Sequence, residues 1–309
     1  MAGVLDSVNQ RTQLVGENRL ELLMFNLNGR QTFAINVFKI QEVLKLTGLT
    51  QMPHEHPAVC GVTHLRGRTV PIINLSMAIK MPPLTPTSDS TIIVTEYNRT
   101  IQGFLIGGVD RIVNMNWGDI LPPPKGAGRN HYLTAITRYE DKLVEIIDVE
   151  KVLAEIVPYN TDISEDVLDH TVLAHATGKR VLVVDDSPVA MGQAKSTVEK
   201  LGLEVVCATN GLEAHNILKG WAEAGQGEID KLLMIITDAE MPEMDGYMLT
   251  TAIRQDARLK NLHVVLHTSL SGSFNKAMVK KVGCDGFLSK FQPDELAGVV
   301  QDRLKSVLG

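Results

Sequence analysis

The stretch Leu232-Leu233-Met234-Ile235-Ile236-Thr237-Asp238-Ala239-Glu240-Met241-Pro242-Glu243-Met244-Asp245-Gly246 is an apolar run that stops on a single carboxylate and passes into an acidic loop. Four more short, largely apolar runs flank it: Val181 to Asp185 and Glu204 to Ala208 upstream, His263 to Thr268 and Gly286 to Ser289 downstream. Each has the length and composition of a parallel strand buried on both faces. Helical stretches lie between them. Ser187-Pro188 reads as an N-cap and first-turn pair ahead of Ala190, Ala194, Val198 and Leu201, which share one helix face. Asn210-Gly211-Leu212-Glu213 reads as a capping box with Asn in the cap position. A last helix follows Pro293 and presents Leu296, Val299, Val300 and Leu304 for burial. Five strand–helix units in succession predict an α/β, doubly wound (βα)5 sheet.

In such a sheet the carboxyl ends of the strands converge on one crevice, and here they carry Asp185-Asp186, Asp238, Thr268 and Lys290. Crowded carboxylates repel, so three together need raised pKa values or a divalent cation. Mg²⁺ fits, as a hard ion that takes one or two carboxylates and keeps positions for water and phosphate oxygens. Asp186 is expected to bind it directly, Asp185 directly or through water, with Asp238 and the main-chain carbonyl of Glu240 completing the set. Asp238 can then attack a phosphoryl group and become an aspartyl phosphate. The Thr268 hydroxyl and the Lys290 ammonium suit the equatorial oxygens of the transferred group. Taken singly, a strand-end Asp is a cap or turn residue and a Lys a solvated charge; the ordered set is what points to chemistry.

The 309 residues allow two domains, each with its own core. Between Lys151 and Lys179 there is no Lys or Arg, while Asp162, Glu165, Asp166 and Asp169 accumulate. This divides the chain into a tail over 1–17, a domain over 18–157, an acidic linker over 158–178 and a domain over 179–309. Within the linker, Ile163 to Ala176 has the spacing of one short amphipathic helix through Val167, Leu168, Val172 and Leu173. Upstream, Glu21 to Leu27, Gln31 to Val37, Thr69 to Leu75, Thr91 to Thr95, Ile101 to Val109 and Leu143 to Ile147 read as β, and Phe38 to Leu44 has a brief helical spacing. Many short strands with few helices suggest one or two small barrels. No internal repeat is visible.

A net charge of −6 argues against a nucleic-acid-binding surface as the main business, although a local basic patch is compatible with it. No apolar run approaches the roughly 18 residues that span a bilayer, and Met1 to Leu20 lacks a secretory pattern, so a cytoplasmic protein with no direct membrane insertion is expected. Cys60, Cys207 and Cys284 read as buried, reduced thiols. Residues 1–157 hold no evident catalytic set. His54, His56 and His64 lack a Cys or carboxylate at an established ligand spacing, which favours loop histidines over a metal site. Asp110-Arg111 reads as a strand-end pair.

Val181-Leu182-Val183-Val184-Asp185-Asp186-Ser187, Ile235 to Gly246, Leu266-His267-Thr268-Ser269 and Leu288-Ser289-Lys290 resemble the response-regulator receiver domain. The resemblance implies a flavodoxin-like receiver with Asp238 as phosphoacceptor, one that catalyses its own phosphorylation from a phosphohistidine donor rather than turning over a substrate. It also implies a two-state switch in which Thr268 moves toward the phosphoryl group and Phe287 turns inward, although Phe287 equally reads as core. One departure is Phe291, where most receivers carry a proline after the lysine; Pro293 follows two positions on.

Phe33 to Val37, Ile40 to Val43, His56 to Val62, Leu65-Arg66-Gly67-Arg68-Thr69-Val70-Pro71-Ile72-Ile73-Asn74-Leu75 and Leu105 to Val109 resemble the CheW-like coupling domain. Joined to a receiver, this resembles the CheV class of chemotaxis proteins. The resemblance implies paired SH3-like five-stranded barrels in an all-β N-terminal domain. It also implies an adaptor in cytoplasmic chemoreceptor arrays that bridges the tips of methyl-accepting chemoreceptors and the histidine kinase CheA. Arg66 is the leading candidate for partner contact, against the reading of a turn arginine paired with a local carboxylate; Glu42 and Asn74 follow it. Three alternatives compete. A haloacid-dehalogenase-like enzyme would carry Asp-x-Asp after its first strand, whereas Asp185 and Asp186 are adjacent. A DNA-binding regulator would need an output helix-turn-helix, and a coupling scaffold inert to phosphorylation would need neither.

Overall fold

Short alternating runs in the N-terminal half pair into two five-stranded sheets. The computed structural model describes residues 19–53, 56–97, 100–121, 132–156, 162–268 and 281–308, which leaves the expected tail, His54 and Ser269 outside the described residues. The chain divides into two compact units, Arg19–Pro158 and the remainder. The first contains β1 (Arg19–Asn26), β2 (Thr32–Asn36), β3 (Glu42–Lys45), β4 (Val59–Leu65), β5 (Arg68–Asn74), α1 (Leu75–Ala78), β6 (Thr91–Tyr97), β7 (Thr100–Ile106), β8 (Gly108–Asn116), β9 (Leu133–Tyr139), β10 (Lys142–Ile147) and α2 (Val149–Ile156).

One sheet runs β8-β1-β2-β10-β9 and the other β3-β6-β7-β5-β4. Their pairing senses are the same in order: antiparallel, antiparallel, parallel, antiparallel. Both curl so that their ends meet. After β3, Thr50 bridges Val62 of β4, and the Thr63 hydroxyl donates to Thr47 O at 2.6 Å. After β8, Leu121 bridges Ile136 of β9, and the Thr137 hydroxyl donates to Asp119 O at 2.8 Å. These are the two expected five-stranded β units. They are two copies of one topology: β3 to β7 are contiguous, while the other copy starts at β8 and borrows β1 and β2 for its last two strands. Leu22, Met24, Ala34 and Val144 fill one core, and Val70, Ile72, Ile92 and Leu105 the other.

Three local readings change. The helical spacing over Phe38 to Leu44 yields only a 3-10 turn at Val37–Lys39, because Glu42 to Lys45 pair with β6 as a strand. The single run Ile101 to Val109 is two strands. It breaks at Gly107, where a Cβ would stand 2.4 Å from Leu27 O. β3, β4 and β9 are additional to the strands read from the sequence.

The second unit contains α3 (His170–Leu173), β11 (Arg180–Val184), α4 (Pro188–Lys200), β12 (Glu204–Ala208), α5 (Gly211–Ala224), α6 (Gln226–Asp230), β13 (Leu232–Thr237), α7 (Gly246–Gln255), β14 (Val264–Thr268), β15 (Gly286–Ser289) and α8 (Pro293–Leu308). Its sheet, β12-β11-β13-β14-β15, is parallel throughout. Alternate residues of β11 serve opposite layers. Val181 and Val183 pack with Ala194, Val198 and Leu304, and Leu182 and Val184 with Ala214, Leu218 and Ile253. Each fully buried Val, Leu or Ile among them contributes about 1.5–3 kcal/mol of transfer free energy. The predicted caps form: Ser187 accepts from Ala190 N, and Asn210 from Glu213 N at 2.8 Å. The Glu213 carboxylate reaches back to Thr209 N at 2.7 Å rather than to the cap residue itself.

The expected helix over Ile163 to Ala176 is instead a 3-10 turn, Glu165–Val167, followed by the one-turn α3. Extended backbone at Leu168 and Asp169 separates them, and Asp169 caps α3. Both pieces pack on the layer that holds Val198 and Leu304, the turn through half-buried Val167 and α3 through buried Val172.

Candidate functional site

Parallel strands end together, so Asp185, Asp238, Thr268 and Lys290 arrive at the same edge of the second unit's sheet. Backbone hydrogen bonds between neighbours fix them there. Asp238 N donates to Val184 O at 2.8 Å, Asp185 N to Ala208 O at 3.1 Å, and Lys290 N to Thr268 O at 3.0 Å. Asp185 and Lys290 are each 1% exposed, and Asp238 and Thr268 are also buried, with Asp186 half-buried beside them.

The Lys290 ammonium lies 2.9 Å from Asp185 Oδ2 and 2.8 Å from Asp238 Oδ2. The other oxygens take backbone donors: Asp185 Oδ1 accepts from Ser187 N at 2.9 Å, and Asp238 Oδ1 from Ala239 N at 2.7 Å. Burying a charge costs several kcal/mol per ion unless it is paired and hydrogen-bonded, and this set meets both conditions. Asp185, Asp186 and Asp238 each offer a carboxylate oxygen within 4.8 Å of the others. One ammonium offsets only one of three carboxylates, so the all-oxygen cluster suits a hard divalent cation.

Sequence reasoning gave Gly246 no role of its own, yet it shapes the loop. A Cβ there would stand 2.0 Å from Asp238 O, so only glycine lets α7 start against the main chain of Asp238. Asp245 caps that helix, accepting from Met248 N at 2.7 Å, and burial pushes its carboxyl pKa up. The signal was present as an Asp-Gly pair ahead of a helical run. Glu240 is half-buried on the same loop, two residues after Asp238. Phe287 is half-buried on β15 and packs with Ala239, Tyr247 and Leu266. Past Lys290 the chain turns through Phe291, which is buried and has φ 61°. Residues 269–280, between β14 and β15, lie outside the described residues.

The three candidates in the first unit separate. Arg66, in the turn between β4 and β5 with φ 48°, is 81% exposed, and its Nη2 lies 2.7 Å from Oε2 of Glu42 on β3. The pair therefore spans the meeting ends of one sheet. Asn74, expected at the surface, is instead only 3% exposed. Its side chain caps α1 by accepting from Met77 N at 3.2 Å, and donates to Leu84 O at 2.8 Å. It is spent on internal bonds and is withdrawn as a partner-contact residue. Asp110-Arg111 is not at a strand end but within β8, and Arg111 also reaches Glu140 at 3.3 Å. Cys60, Cys207 and Cys284 are unpaired and half-buried.

Comparison with known proteins agrees with this division. Residues 21–157 match the CheW-like domain and residues 181–301 the response regulator receiver domain. The chain is 30% identical to chemotaxis protein CheV1 of Helicobacter pylori, over 99% of either chain. It is 29% identical to CheV3 of that organism, over 90% of this chain and 92% of the relative. It is 26% identical to CheV2, over 92% and 94% respectively. With a relative at 30% identity over 99% of either chain, the chain belongs to the CheV family of chemotaxis proteins, a CheW-like domain joined to a response regulator receiver domain.

Proposed function

We propose that this chain is a phosphorylation-tuned adaptor: the CheW-like domain couples chemoreceptor tips to the histidine kinase CheA, and Asp238 of the receiver takes a phosphoryl group from that kinase. The observation that carries the reading is the buried Lys290 ammonium held between Asp185 and Asp238. It stands where charge develops when a phosphoryl group meets Asp238, and its geometry is set before the reaction. In the transfer, an Asp238 carboxylate oxygen bonds to phosphorus and the phosphorus–nitrogen bond of a phosphohistidine breaks. The freed imidazole takes up a proton from solvent. Asp185, Asp186 and Asp238, with the Glu240 carbonyl, would hold Mg²⁺, which when bound supplies the charge that screens the attacking carboxylate from the phosphoryl oxygens.

On this reading Thr268 follows the phosphoryl group and Phe287 moves with it, while Arg66 and Glu42 lie on the surface that meets a partner. The protein works in the cytoplasm, recruited to receptor arrays; among the described residues no helix is long and apolar enough to cross a membrane. The test is transfer of labelled phosphate from autophosphorylated CheA in the presence of Mg²⁺. Wild type should label rapidly and Asp238→Asn should not label at all. A folded wild-type receiver that stays unlabelled would sink the phosphoacceptor role and leave a coupling scaffold.

A further inference from the structure

The chain leaves Lys290 through the left-handed turn at Phe291, a conformation that residues other than glycine rarely adopt, and enters α8 at Pro293. The first turn of α8 carries Asp294. Its two carboxylate oxygens accept from Ser164 N and from the Ser164 hydroxyl, both at 2.8 Å. About two turns along, Gln301, 3% exposed, holds the same segment again. Its Nε2 donates to Val167 O at 2.9 Å and its Oε1 accepts from Asp169 N at 2.6 Å. One turn further, Lys305 pairs with Asp169 at 3.2 Å. Residues 164–169 therefore run alongside α8 as a strap, gripped in the same order along both.

This strap lies in the covalent route between the CheW-like domain and the receiver. Its secondary structure is a three-residue 3-10 turn and the four-residue α3. Elements that short have no stability of their own in water, so they are ordered only while held. The grip at Asp294 begins four residues after the Lys290 ammonium that touches the candidate phosphoacceptor.

We propose that the strap is the receiver's output. When Asp238 carries a phosphoryl group, Lys290 exchanges its contact with the Asp238 carboxylate for the phosphoryl oxygens, the Phe291 turn passes that small shift to the start of α8, and the hold on Ser164 to Asp169 loosens. This rests on the phosphorylation of Asp238 proposed above. A loosened strap lengthens the tether between the two domains, which changes how freely each can reach its partners.

Amide hydrogen exchange of the full chain, with and without Mg²⁺ and beryllofluoride as the phosphoryl mimic, tests the relay. Binding is followed independently by the fluorine resonance of the bound mimic. The expected result is exchange over residues 164–173 about tenfold faster in the loaded protein, the loss of roughly one net hydrogen bond of protection. Protection of α5 should not change, and Asp238→Asn should show no response. Gln301→Ala should produce the same acceleration without the mimic, and Ser164→Ala, a milder exposed change, a smaller one. Bound mimic with unchanged or slower exchange in the strap would overturn the relay and leave phosphorylation standing. Absence of mimic binding would overturn both.

Discussion

Two ion pairs of nearly equal length sit in the two domains: Lys290 to Asp238 at 2.8 Å in the receiver, and Arg66 to Glu42 at 2.7 Å in the CheW-like domain. The first cation is 1% exposed and the second 81%. Distance is therefore a poor guide to consequence. In the buried pair each charge has given up its water, so the partners depend on one another, and removing one leaves an uncompensated ion. In the exposed pair water and salt take over whatever the partner releases, and the contact contributes about 0–1 kcal/mol. A buried pair is suited to a switch, because moving one member forces the rest to respond. An exposed pair is suited to a docking surface, because it can be exchanged for a partner's charges at little internal cost.

Three measurements separate the two pairs. Lys290→Met should have the largest effect, a loss of about 3–5 kcal/mol in urea unfolding without Mg²⁺, since Asp185 and Asp238 are left facing each other. Added Mg²⁺ should return part of that loss. A change below about 1 kcal/mol would mean that the buried pair is no more consequential than a surface one. Arg66→Ala should change stability by about 0.5 kcal/mol or less, with any loss fading in high salt. Its co-sedimentation with receptor and kinase should nevertheless fall about tenfold, as expected for the loss of one charge-assisted contact. Equal binding by both proteins would remove Arg66 from the partner surface.

The smallest effect is expected at Asp169 in the strap. The Thr171 hydroxyl, then the Lys305 ammonium, hold its pKa down at about 2. A carboxyl depressed in the folded state contributes its stabilisation fully above its unfolded value, near 3.8, and loses it as pH falls through about 2. The Thr171 amide resonance should therefore move toward its disordered position between about pH 4 and 2 and not between pH 7 and 5. Movement in the upper window would assign the strap's hold to another group.

The receiver was the more legible half, for a physical reason. A strand buried on both faces must be apolar throughout, so β11 and β13 stand out as unbroken runs, and the residues that end them fall at one edge by topology alone. Burial is uneven among the strands of the CheW-like domain: β6 is buried almost throughout, whereas β8 is mostly exposed. β3 alternates half-buried and exposed side chains, Glu42, Val43, Leu44 and Lys45, which a short window cannot separate from a helical turn. The duplication of the two sheets left no trace in residue identity because what repeats is the sense of pairing. Asn74 misled because its role depends on a helix of only four residues beginning just after it. At the site, residue types were readable but not their partners. Nothing in the spacing of Asp185, Asp238 and Lys290 says that one ammonium touches both acids, or that Gly246 must be bare for Asp238 to stand where it does.

The borrowed strands of the first sheet set an order for synthesis. β1 cannot be completed as it emerges, because Leu22 pairs with Val113, whereas β3 to β7 close among themselves from one continuous stretch. The β1–β2 hairpin, made before β8, must therefore wait, partly unprotected, while the contiguous sheet folds, and its apolar face needs shelter until β8 arrives.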